Sequence, residues 1–125
     1  MITRLDHIQL AIPIGGEPQA RTFFGLLLGM REEEKPEPLA SRGGCWFRSG
    51  AVILHLGVER EFVPQKKAHP AFCVEDLAAL AGRLEKSGYP VIWDDALPSR
   101  RRFYTADPFG NRIELMRKGD GFGEK

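Results

Sequence analysis

Three histidines, His7, His55 and His69, are the only imidazoles in this 125-residue chain, and with Glu114 they form its one set of residues suited to metal or proton chemistry. All three histidines lie in strand-like segments. His7 and His69 open the first strand of what read as two similar halves, while His55 and Glu114 occupy matching points in the last strand of each. Alternation sends Ile8, Leu10, Ile12, Phe72, Leu54, Leu56, Ile113 and Leu115 toward the helices and turns all four polar residues the other way. If the sheet curls, that second face becomes the inside of a cup. Neutral imidazoles and a carboxylate converging there suit a divalent transition metal with open coordination positions. Taken singly, each residue has a plainer explanation, a satisfied polar histidine or a solvated glutamate. What sets the group apart is that every histidine falls on one face at matching points.

The elements that must position these residues follow from periodicity and punctuation. Residues 5–13 alternate as a half-buried strand, and Gly15 and Gly16 break it. A helix is expected over 17–29, with Phe23, Phe24, Leu27 and Leu28 on one face and Gly29 as its stop. Residues 31–35 read as an outer strand ended by Pro36 and Pro38, and strands at 45–48 and 51–57 are joined by a Ser49-Gly50 turn. This gives β, α, β, β, β over 5–58. A polar connector at 59–68, containing Pro64, precedes a second run of the same order over 69–117. Its strand is at 69–74, and its helix at 75–86 has Leu77, Leu80, Ala81 and Leu84 on one face. Strands follow at 89–93, 101–105 and 112–116, the last two joined by the Asp107-Pro108-Phe109-Gly110-Asn111 turn. The expected organisation is one domain over 1–118, made by internal duplication, with a flexible tail at 119–125.

Composition narrows the functional classes. Hydrophobic residues at 42% and charged residues at 28% are ordinary for a globular chain. With 18 basic against 17 acidic residues there is no overall excess to neutralise nucleic-acid phosphates, so no nucleic-acid partner is expected. No stretch approaches the roughly 20 apolar residues of a spanning helix, and the start lacks a signal-peptide pattern, so a cytoplasmic protein with no membrane role is expected. Cys45 and Cys73 are too few for a disulfide framework and read as small buried thiols.

The segment Phe103-Tyr104-Thr105-Ala106-Asp107-Pro108-Phe109-Gly110-Asn111-Arg112-Ile113-Glu114 resembles the closing hairpin of the glyoxalase/bleomycin-resistance/dioxygenase superfamily, the vicinal oxygen chelate proteins. The opening Leu5-Asp6-His7-Ile8 and the Phe23-Phe24 to Leu28-Gly29-Met30 helix end are also similar to its patterns, and the resemblance covers residues 5–116. It implies an α+β fold, with paired βαβββ modules forming a curved mixed sheet, a cup with helices outside. It also implies a divalent metal (Zn, Ni, Co, Mn or Fe(II)) held by His7, His69 and Glu114, a small-molecule substrate and a homodimer. The fourth strand position, a glutamate or glutamine in glyoxalase-like members, holds His55 here.

The chemistry so implied is chelation of two neighbouring substrate oxygens by a Lewis-acid metal, serving an isomerase, lyase or dioxygenase. His55 and Glu114 are the candidate catalytic residues, with His55 a general base if it does not bind metal. Alternation also places Trp46, Arg48, Arg102 and Tyr104 on the ligand-bearing face as candidate substrate contacts, the arginines as clamps for a carboxylate or phosphate. A solvated arginine edge at 100–102 is the competing account of that run. The rival function is a metal-free binding protein of the bleomycin-resistance type, and a member that keeps the fold without chemistry is a third possibility.

Overall fold

The computed structural model describes residues 1–119, so all of the expected 119–125 tail except Gly119 lies outside the described residues. The chain divides at Pro64/Gln65 into two compact units. The first contains β1 (Ile8–Ile12), α1 (Glu17–Ala20) running on as a π-helical stretch (Arg21–Leu27), β2 (Arg31–Glu33), α2 (Glu37–Ala40), β3 (Cys45–Ser49) and β4 (Val52–Val58). The second contains β5 (Ala71–Val74), α3 (Leu77–Lys86), β6 (Ile92–Asp94), β7 (Arg102–Ala106) and β8 (Arg112–Arg117). Each unit forms a four-stranded mixed sheet, ordered β1-β4-β3-β2 and β5-β8-β7-β6. In each, the first strand lies parallel to the last and the remaining pairs are antiparallel. These are the paired βαβββ modules expected from the duplication.

Burial follows the alternation. Leu10, Ile12, Leu54, Leu56 and Phe47 are buried with Phe23 and Phe24 in the first unit, and Phe103, Ile113 and Leu115 with Leu77, Leu80 and Leu84 in the second. Phe24 meets Phe47 of β3 with ring centroids 6.0 Å apart. The helix α3 is capped by Asp76, whose carboxylate accepts the Ala79 N–H at 3.0 Å and satisfies one open donor of the first turn.

Four details differ from the sequence reading. The expected helix over 17–29 widens after its first turn, with the Leu28 N–H reaching back five residues to the Phe23 carbonyl at 3.0 Å. It closes with the Met30 N–H on the Phe24 carbonyl at 2.9 Å, over Gly29 at φ +73°. Pro36 and Pro38 do not simply end β2. They stand at the start of the short helix α2, where a missing N–H costs no helical bond. The strands begin at Ile8 and Ala71, so His7 and His69 stand just ahead of β1 and β5 and not within them. Cys45 is buried as expected, but Cys73 is exposed, because it shares with Ala71 the face of β5 turned away from the core.

Candidate functional site

In the first unit the β1–β4–β3 register places Gln9 and Trp46 beside His55 on either side. Three rings then stack in a row. His7 lies over His55 with centroids 4.2 Å apart, and His55 lies over Trp46 at 3.8 Å with planes only 4° apart. Burial, and after it the nearby His7, lower the His55 pKa below the ordinary imidazole value. His55 is therefore neutral at pH 7 and can accept a proton. His7 is more exposed, and its Nδ1 meets the Asp6 carboxylate at 2.9 Å. A carboxylate only accepts, so Nδ1 carries the hydrogen, and in the neutral ring Nε2 is the nitrogen with the lone pair. Arg48 is held differently from the expected substrate clamp, since its Nε donates to Glu33 Oε2 at 2.9 Å across β2 and β3.

The second unit carries a compact polar cluster. His69 Nδ1 donates to the Lys67 carbonyl at 2.7 Å, and its Nε2 stands 2.9 Å from Glu114 Oε1. Glu114 is only 5% exposed. Its other oxygen accepts from Arg102 Nη1 at 3.2 Å, while Arg102 Nη2 donates to Asp94 Oδ2 at 3.2 Å. The Arg102 Nε is buried without a hydrogen-bond partner. Tyr104 meets the His69 ring edge-on at 5.6 Å, with the Arg112 guanidinium 4.1 Å above the tyrosine ring. The register explains this grouping, because β8 sets Glu114 opposite Tyr104 of β7 and Ala71 of β5.

The His69–Glu114 pair fits a divalent metal. Two ligand atoms at right angles, each about 2.1 Å from an ion, stand about 3 Å apart, and the observed Nε2–Oε1 separation is 2.9 Å. With Nδ1 committed to a carbonyl, only a proton or a metal ion can reconcile Nε2 with the carboxylate oxygen facing it. His7 presents the same ligand atom for the same reason. Within neither unit do three or more His, Cys, Asp or Glu side chains gather as a metal-binding group among the described residues. The candidate ligands are thus distributed, His7 in the first unit and His69 with Glu114 in the second. Asp6, Asp94 and the Lys67 carbonyl complete these arrangements and were given no role by sequence reasoning. Asp6 alone left a signal, its place directly before a candidate ligand.

Neither protein-family models nor curated proteins match this chain. Solved structures do. A protein assigned to the glyoxalase family from Bacillus anthracis is 50% identical, with TM-score 0.89, over 94% of this chain and 96% of that one. The genomically encoded fosfomycin resistance protein FosX from Listeria monocytogenes has TM-score 0.75 at 16% identity, covering 94% of each chain. Lactoylglutathione lyase from Agrobacterium tumefaciens has TM-score 0.67 at 19% identity, over 89% of this chain and 92% of that one. At these lower identities the likeness is one of fold.

Proposed function

The chain belongs to the glyoxalase family of the vicinal oxygen chelate superfamily, and from that premise we propose that it is a metal-dependent enzyme acting on a small oxygenated metabolite. The observation that carries the reading is the His69 Nε2–Glu114 Oε1 approach at 2.9 Å, with the far side of the imidazole already tied to a carbonyl. His7 completes the ligand set, its Nε2 freed by Asp6. A divalent metal bound by these residues supplies Lewis-acid stabilisation of charge developing on substrate oxygens. His55, kept neutral by burial, takes up a substrate proton. Arg102, linked to Glu114 and Asp94, orients the carboxylate and adds positive charge beside it. Tyr104 and Trp46 form flat walls beside His69 and His55 respectively. Family membership also supports a homodimer.

The test is metal analysis of the purified protein after dialysis against a weak chelator, beside a His7→Ala/Glu114→Ala double variant. The expected result is about one divalent ion per chain, lost in the variant. Retention of iron directs the substrate search to dioxygenase chemistry, and of Zn, Ni, Co or Mn to isomerases and lyases. Absence of bound metal after reconstitution with each of these ions overturns the proposal in favour of a metal-free ligand-binding protein.

A further inference from the structure

A second feature of the first unit is not used by the metal chemistry. A cavity of about 240 Å³ lies against the β1–β4–β3 face, lined in part by Gln9, Lys35, Leu39, Arg42, Trp46 and Gly57. Among the described residues its lining includes two cations and no carboxylate, the nearby Glu17 carboxylate being engaged by the Gly44 N–H and close enough to Lys35 to feel its charge. The wall is held by close backbone packing. At Gly44, φ is +81° and a Cβ would stand 2.0 Å from the Leu56 carbonyl oxygen, so only glycine allows the loop to lie this close on β4. The Gly44 N–H is fixed to Glu17 Oε2 at 2.8 Å, and Lys35 Nζ donates to the Gly43 carbonyl. That bond uses one of three ammonium donors and leaves a half-buried positive charge at the cavity. Opposite, Gly57 lets the Gln9 amide lie flat on β4, where a Cβ would meet Gln9 Nε2 at 3.1 Å. Trp46 connects the cavity to the ring stack, since its ring covers His55.

We propose that this cavity is a subsite for an oxyanion group of the ligand, a phosphate, phosphonate or carboxylate, bound by Lys35 and Arg42 with the Gln9 amide as a neutral donor. The inference rests on the enzyme reading and gives its substrate a chemical class: a small oxygenated metabolite with an anionic end. Lys35 and Arg42 provide the charge-assisted hydrogen bonds such a group requires. The cavity is large enough for the anionic group and a short stem. The shared Trp46 ring sets the far end of such a ligand toward the His55 side of the sheet.

The experiment is titration of ¹⁵N-labelled protein with inorganic phosphate and, separately, with acetate, followed by NMR. Saturable shifts of the Gly43, Gly44 and Gly57 amides and the Trp46 indole N–H are expected with at least one anion, and the tighter one identifies the class. Arg42→Gln, a change on the exposed rim that leaves the glycine packing untouched, weakens binding about tenfold or more, as does Lys35→Met. Lys35→Arg restores most of it. No saturable shift with either anion, or wild-type affinity in both neutralised variants, overturns the subsite. Metal titration of the same samples separates this outcome from the parent reading. Arg42→Gln retains full metal uptake, whereas wild-type protein that binds phosphate but no metal keeps the subsite and loses the metal chemistry.

Discussion

At the level of single residues, hydrogen bonding divides the histidines into two kinds. His7 and His69 each have Nδ1 engaged by an oxygen, from Asp6 and from the Lys67 carbonyl, which leaves Nε2 as the nitrogen that the proposed metal would use. His55 is placed by ring contacts instead, and among the described residues nothing fixes its tautomer. The sequence set His55 apart from His7 and His69 by its place in the repeat and by the family resemblance, but not by hydrogen bonding, because a bond to a neighbouring carboxylate or carbonyl depends on local backbone direction that residue type does not encode. If this division is functional, Asp6→Ala lowers metal affinity by about 10–100-fold through loss of the outer-shell partner of His7. His55→Gln leaves affinity unchanged and lowers turnover. Competition against a fluorescent chelator measures both, and equal losses in the two variants would contradict the assignment. The cysteines provide a separate test. Burial raises the Cys45 pKa to about 11, so its thiol stays protonated at pH 8, whereas Cys73 is exposed. One thiol per chain is expected to react promptly with Ellman's reagent and the other only after denaturation. Prompt reaction of both would contradict the burial of Cys45.

Among the elements, the repeated βαβββ order was legible because alternation, helical periodicity and glycine stops all agree. The departures came where one local rule had two outcomes. Pro36 and Pro38 end a strand and also begin a helix, and sequence reasoning took only the first meaning. The π-helical stretch left no mark in the pattern, since Phe23 and Phe24 face the core in either geometry. Two connections carry predictions. Gly44→Ala places a methyl on the Leu56 carbonyl and forces an unfavourable φ, so a loss of at least about 2 kcal/mol is expected in urea denaturation. In the β7–β8 turn, Asp107 is 3% exposed and accepts from the Phe109 N–H, the Asn111 N–H and Asn111 Nδ2, each at 2.9 Å. Asp107→Ala removes three hydrogen bonds from the buried turn and is expected to cost about 2–4 kcal/mol by the same assay. Burial outweighs those bonds and raises the Asp107 pKa above its ordinary 3.8. The folded state then holds this proton more tightly than the unfolded state, so the stability it contributes is complete below pH 3.8 and declines as pH rises through the folded value. The stability difference between wild type and Asp107→Asn should therefore narrow as pH rises across that window. A difference that is flat or widens would contradict the raised pKa.

For the molecule as a whole, the proposed ligand set, if one ion uses all of it, would make metal binding a link between parts of the chain far apart in sequence. His7 belongs to the first compact unit, and His69 with Glu114 to the second. A metal that uses all three binds only where both units are folded, so it stabilises them together. Mass action sets the size of the effect, about 2.7 kcal/mol when free metal is a hundred times its dissociation constant. The expected outcome is a melting temperature that rises with the logarithm of metal concentration, accompanied by slower amide exchange in β1 and β4 as well as in β5 and β8. His7→Ala, His69→Ala and Glu114→Ala should each abolish the rise, although the first lies in a different unit from the other two. The prediction holds whether the three ligands come from one chain or from two chains of a dimer, since each chain contributes one of each. If His7→Ala leaves the metal-dependent rise intact while Glu114→Ala removes it, the ion is bound by the second unit alone. The His69–Glu114 pair would then be the whole of the protein's contribution, and His7 a stacking partner for His55.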